Sequence, residues 1–177
     1  MSLWFFSAPA IALIAGALVL VLWKAQRLRA RHRSVFAAPL PLFPEGRERL
    51  VDAPRALYHG TRFADGALLL APAWSEECVG DLFCTDQALF LEREERGTLL
   101  AIPLGWVSEV SLVRGHAKLA GKELPMLRLR WSRGGEALQS DFSLRGGMAS
   151  LERLRREIHL RQGDVMARLR PFLDQLP

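Results

Sequence analysis

The sequence predicts a small, mainly β domain: an antiparallel barrel or bent sandwich plugged by one amphipathic helix, carried behind a single transmembrane helix. An apolar run without charge extends from Leu3 to Trp23. Short apolar stretches parted by turn residues follow from Leu57 to Leu144, the spacing of antiparallel strands. After Gly146-Gly147 the apolar period changes, with Leu151, Leu154 and Ile158 at helical intervals.

The apolar run holds about twenty residues, and at roughly 1.5 Å each it makes a helix of about 30 Å, the thickness of a bilayer's hydrocarbon core. Trp4, Phe5 and Phe6 at one end and Trp23 at the other suit the headgroup level. Ser7, Ala8 and Pro9 suit a helix start, where proline gives up an amide that lacks a partner anyway. A core helix of this length normally shows a polar face, and a cleavable signal peptide has a basic leading segment and a shorter apolar run. The run shows neither, so residues 1–23 are expected to be an uncleaved anchor.

Lys24, Arg27, Arg29, Arg31 and Arg33 follow at once, with no acid before Glu45. The positive-inside rule then puts the N-terminus outside, the body in the cytoplasm and the anchor in the plasma (inner) membrane. Setting these five cations aside leaves 19 of the 24 Lys and Arg, against 19 Asp and Glu. The basicity thus belongs to a juxtamembrane flank, and no nucleic-acid partner is expected. At about 1 kcal/mol per cation near an anionic leaflet, all five are expected to contact lipid. Ala8, Ala12 and Gly16 share one helix face, a spacing that lets two transmembrane helices approach closely and form a homo-oligomer. The abundance of Ala and Gly in membrane spans explains the same residues without self-association.

Residues 24–54 read as a basic and then Pro-rich linker, since Pro39, Pro41, Pro44 and Pro54 favour an extended spacer. Residues 55–163 have the composition of one compact domain. Strands from Leu57 to Phe63 and from Ala67 to Ala71 open it. Asp81 to Thr85 and Ala88 to Glu92 are apolar runs parted by Asp86-Gln87, a tight hairpin. Gly97-Thr98 introduces Leu99 to Leu104, and Val107, Val110 and Leu112 continue as a short strand. Leu127, Leu129 and Trp131 alternate with Arg128, Arg130 and Ser132, which puts the apolar set on the core face and the arginines in water. Arg133-Gly134-Gly135-Glu136 makes the turn, and Ala137, Gln139, Phe142 and Leu144 lie in the returning strand. The helix after Gly147 turns Arg153, Arg156 and Glu157 outward. Residues 164–177 read as a short helical tail, capped by Asp164 and ended by Pro171.

Gly80-Asp81-Leu82-Phe83-Cys84-Thr85-Asp86-Gln87-Ala88-Leu89-Phe90-Leu91 resembles the small-apolar-Thr-x-x-x-Leu-apolar-Phe hairpin of pleckstrin-homology-like (PH-like) domains, specifically the GRAM and bacterial PH branch. Ala101-Ile102-Pro103-Leu104, followed by Val107 and Val110, is similar to that family's "I-P-L-x-x-I-x-x-V" strand. The Leu-rich strand, the Gly-Gly turn and the Phe142 strand before a terminal helix follow in the same order. The resemblance covers about residues 78 to 162 and rests on packing motifs. It implies a mainly β (α+β) fold, a bent barrel of about seven strands with a C-terminal helix, and a binding rather than catalytic role.

Phosphoinositide-binding members of that family carry several Lys or Arg in the loop joining the first two strands, because clustered phosphates need several cations. Arg62 stands in the equivalent stretch here, near the acidic Ser75-Glu76-Glu77, and Arg128, Arg130 and Arg133 are expected along the outer face of one strand. These four are the candidate lipid- or partner-binding residues, although solvated surface explains such arginines as well. Tyr58-His59-Gly60-Thr61 resembles the first motif of ADP-ribosyltransferases, which grips a nicotinamide nucleotide. That family also needs a downstream tyrosine, and Tyr58 is the only tyrosine in the chain.

Other chemistries lack their residues. His32, His59, His116 and His159 are scattered, and Cys78 and Cys84 have no companion at metal-ligand spacing. In the cytoplasm both stay reduced, and Cys84 reads as a small core residue. Gly134-Gly135 and Gly146-Gly147 read as turns rather than phosphate loops. No catalytic residue, metal or cofactor is expected. The expected function is that of a membrane-anchored adaptor docking a protein partner through the barrel's loops or exposed edge. A sensor of anionic lipid or phosphoinositide-like headgroups is the alternative, and an NAD-using enzyme a minor one.

Overall fold

A computed structural model describes residues 4–37, 48–69, 71–93, 97–119 and 122–173. Helix α1 (Trp4–Ala37) precedes strand β1 (Val51–Phe63), a short helix α2 (Pro72–Ser75), and strands β2 (Cys78–Cys84), β3 (Ala88–Arg93) and β4 (Gly97–Pro103). A 3-10 turn, Leu104–Trp106, leads into β5 (Val107–Leu119), β6 (Lys122–Arg133) and β7 (Glu136–Ser143), and helix α3 (Gly147–Leu173) ends the fold. Every pairing is antiparallel and the strand order is β4-β3-β2-β1-β7-β6-β5. Strand β1 joins the two halves. Its first part pairs with β2 (Val51↔Cys84 to Tyr58↔Cys78) and its last with β7 (Leu57↔Ser143 to Phe63↔Leu138).

Period-two alternation turns Leu82, Leu89, Leu91, Leu100, Ile102, Leu127, Leu129, Trp131, Leu138 and Phe142 into one interior, each at most 1 % exposed. Helix α3 closes it with Leu151, Leu154 and Ile158, all fully buried. Each such side chain stabilises the fold by about 1.5–3 kcal/mol through burial. The expected hairpins form. Thr85 Oγ1 accepts the Gln87 and Ala88 amides between β2 and β3, and Gly134 (φ 59°) and Gly135 (φ 78°) supply the left-handed residues of the β6–β7 turn.

Elsewhere the structure corrects the expectation. Strand β1 starts at Val51, six residues before Leu57, so Pro54 belongs to the sheet. It sits in a bulge between Ala53 and Ala56, where a missing amide is tolerated. Residues 67–69 form no extended strand, and residue 70 of the expected strand lies outside the described residues. A turn closed by the Gly66 amide on the Phe63 carbonyl leaves a single bridge, Arg62↔Leu68, before α2. The tail expected from Asp164 onward instead continues α3 without a break to Leu173.

The largest correction concerns residues 24–37, expected as linker. They extend the apolar helix so that α1 runs for 34 residues. Leu28, Arg31, His32 and Val35 fall at i, i+3, i+4 and i+7, one stripe that meets the domain. Val35 is fully buried in the main core and Leu28 packs against it. Of the rest of that linker, residues 38–47 lie outside the described residues and 48–50 lead into β1.

Candidate functional site

Helix α1 docks where β1 ends and β6 turns into β7. Arg31 is the centre of the contact. Its Nε donates to Glu136 (2.7 Å), its Nη1 to Asp65 (2.7 Å), and its guanidinium lies 3.9 Å from the centre of the Phe63 ring. His32 meets Phe63 edge-on and Phe36 packs on Trp74, 5.1 Å between ring centres. The Ser34 hydroxyl donates to the Gly134 carbonyl. A side chain at Gly134 would run into the Ser34 carbonyl, so this glycine serves both the turn and the docking. The Asp65 carboxyl is held below the usual carboxylate range by the Ala67 amide and by Arg31.

Arg31 is therefore not a lipid contact as expected; it faces the domain. Arg29 and Arg33 are exposed. Lys24 and Arg27 line a cleft of about 590 Å³ between α1 and the domain, with Trp23 on one side and Asp65, Ala67 and Glu136 on the other. Above this junction the helix is bare. Ile11, Leu13, Ile14, Leu18 and Val19 are each more than half exposed, and the stretch is apolar and long enough to cross a membrane. Ala12 and Gly16 are among the exposed residues.

The four candidate arginines of the domain are not one open basic face. Arg62 and Arg128 converge from β1 and β6 on Asp141 of β7, at 2.5 Å and 2.9 Å. Gln139 adds a bond from its amide at 3.1 Å. The Asp141 side chain is only 3 % exposed, which makes it the best-buried acid in these pairs. Arg130 pairs with Glu109 on β5 at 2.9 Å. Arg133, expected in water, is 5 % exposed, its guanidinium near the Trp74 and Trp106 rings. It follows Trp131 by two residues and so shares its inward face, a period-two signal that was present in the sequence. Burial lowers its pKa.

The Tyr58-His59-Gly60-Thr61 stretch lies in the middle of β1. Tyr58 is fully buried; its hydroxyl donates to the Trp74 carbonyl (2.6 Å) and lies 2.5 Å from Thr61 Oγ1. Thr61 continues to Ser140, which accepts from Trp131 Nε1 at 3.0 Å, so a chain of hydrogen bonds crosses the core. Burial pushes the Tyr58 phenol far up, and it stays neutral. His59 sits between Glu77 (3.1 Å) and Ser143 (2.9 Å). Gly60, at φ 91°, lets the chain pass Ser75, whose carbonyl oxygen would lie 2.7 Å from a Cβ there. Asp141 and this interior network escaped the sequence analysis, because both depend on cross-strand register.

Among the described residues, no group of three His, Cys, Asp or Glu side chains is placed to hold a metal ion. Cys84 is buried, and its thiol is pushed up to about 12, first by burial and then by the Glu157 charge. Iodoacetamide at pH 8 is expected to leave Cys84 unmodified in the native protein, while the half-buried Cys78 reacts first. Peptide mass spectrometry reads this directly, and equal rates at the two thiols would contradict the packing.

Seven antiparallel strands in this order, with a C-terminal helix packed at one end, define a PH-like domain. The chain thus has a PH-like α+β fold, with the second half of the long helix α1 docked against it. No protein-family model and no curated protein matches the chain. Among solved structures it is similar to the Vps36 N-terminal PH domain, at 18% identity over 72% of this chain and 87% of that one, with a TM-score of 0.46. The fold assignment rests on the strand order and not on that likeness.

Proposed function

We propose that the chain is a single-pass membrane protein whose cytoplasmic domain, of the GRAM or bacterial PH type, docks a protein partner without catalysis or cofactor. The division of α1 into a bare apolar half and a docked basic half carries this proposal. The first half suits lipid, the cations at its end favour the cytoplasmic side, and the second half ties the domain to the anchor. Protein docking is favoured over headgroup binding by the domain's arginines, since Arg62, Arg128 and Arg130 are engaged with Asp141 and Glu109 and Arg133 is buried. The ends of the sheet, β4 and β5, offer strand edges for a partner.

Cross-linking in intact membranes followed by purification in detergent tests the proposal, comparing the full chain with α1 alone. A protein joined to the full chain and absent from α1 supports docking; enrichment of anionic lipid alone supports the sensor. The sensor gains some support from the cleft beside Trp23, where Lys24 and Arg27 stand at headgroup depth in this reading. The NAD-using alternative is disfavoured by the burial of Tyr58 and Thr61, and calorimetry with NAD on the full chain tests it.

A further inference from the structure

A second cleft, of about 350 Å³, opens at the opposite ends of β1 and β7 from the α1 contact. Helix α1 meets Phe63, Asp65, Gly134 and Glu136, where β1 stops and β7 starts. The second cleft is lined by Asp52 and Arg55 at the start of β1, by Arg145 and Gly146 just after β7, and by Ser150 and Arg153 of α3. The three arginines come from three separate elements.

Sharing one cleft sets them apart from other described arginines without a carboxylate partner, such as Arg93 and Arg114. Arg31, Arg49, Arg62, Arg128, Arg130, Arg155 and Arg161 each hold a carboxylate within 4 Å. Among the described residues, Arg55, Arg145 and Arg153 have no such partner. Asp52, the acid in the cleft, is 3.7 Å from Arg49 instead. Arg55 is fixed in place: its backbone is left-handed, at φ 56°, and its amide donates to Asp81 at 2.9 Å. The positive end of α3, which has no acid in its first turn, faces the same side and adds to the excess. Three cations against the single acid Asp52 leave the cleft with an excess of positive charge that favours an anion.

We infer that Arg55, Arg145 and Arg153, converging on this cleft, bind the phosphate groups of a soluble ligand. Guanidinium forks match phosphate oxygens bidentately, and the Ser150 hydroxyl supplies a further donor. Among the described residues, no aromatic ring lines the cleft to stack a nucleobase, so the groups present address the phosphates themselves. That the source is free, and not a membrane headgroup, rests on the anchor reading above, since the cleft faces away from the end where α1 arrives. The site itself does not depend on that reading.

Calorimetry with inorganic pyrophosphate on the full chain in neutral detergent tests the site. Saturable one-site binding is expected, weakened about tenfold or more in Arg145→Ala/Arg153→Ala and unchanged in Arg93→Ala/Arg114→Ala, which removes equal charge elsewhere. Melting curves show that each variant is folded. No saturable binding, or equal weakening in both variants, overturns the site. In a parallel arm, binding of a short-chain phosphatidic acid in the same detergent that depends on Arg145 and Arg153, without pyrophosphate binding, overturns the soluble source.

Discussion

Replacing Asp141 with alanine is expected to cost roughly 2–3 kcal/mol of folding stability and about 10 °C in melting temperature. The carboxylate is nearly inaccessible and joins three strands, accepting from Arg128 of β6 and Arg62 of β1. Removing a carboxylate from a fully buried pair costs more, about 3–5 kcal/mol, because the stranded cation finds no water. Here Arg62 is 43 % exposed and recovers much of its hydration, which reduces the loss.

The same group sets a pH dependence. Burial alone would push the Asp141 carboxyl up, but the Arg128 bond and charge, joined by Arg62, outweigh burial and hold it below the usual range. A carboxyl depressed in the folded state contributes stability that is present above its unfolded value of about 3.9 and lost as pH falls through the folded value. Melting curves should therefore show a wild-type advantage over Asp141→Asn at pH 7 that shrinks below about pH 4. A gap that stays constant as pH falls from about 4 to about 2.5, where the unfolded carboxyl takes up its proton, would exclude this ion pair as the source.

Val35→Asp is expected to release the second half of α1 from the domain. The residue is fully buried in the main core, beside Leu28 and near the Phe36–Trp74 contact. An unpaired carboxylate placed there costs about 3 kcal/mol. Lys24, Arg27, Arg29, Arg31 and Arg33 are all trypsin sites, protected only while the helix holds. If cleavage tracks the open population, its rate between residues 24 and 33 should rise about 100-fold in Val35→Asp. An unchanged rate would mean that Val35 does not hold the helix.

The legible parts of this fold were those written in local pattern. Leu127, Leu129 and Trp131 gave β6 its face, Gly134-Gly135 its turn, and Leu151, Leu154 and Ile158 the buried stripe of α3. Strand β1 was half hidden because bulges at Ala53/Ala56 and Tyr58/Thr61 interrupt its period. The docked part of α1 was masked by its cations. Lys24 to Arg33 read as a lipid-contacting flank of a linker, although Leu28, His32 and Val35 already mark a helical face within it. Asp141 carried no sequence signal, since its burial depends on Arg62 and Arg128 arriving from other strands. The candidate site suffered most, because three of its four arginines serve internal pairs and the fourth is inside.

Hydrogen exchange of the full chain in lipid nanodiscs, read peptide by peptide, tests the arrangement most directly. Slow exchange is expected both in residues 10–23, shielded by lipid, and in residues 24–37, held as helix against Phe63, Trp74 and the β6–β7 turn. Complete exchange of 24–37 within seconds would mean a loose tether instead of a docked helix. The same result in 10–23 would mean that the apolar half never entered the bilayer.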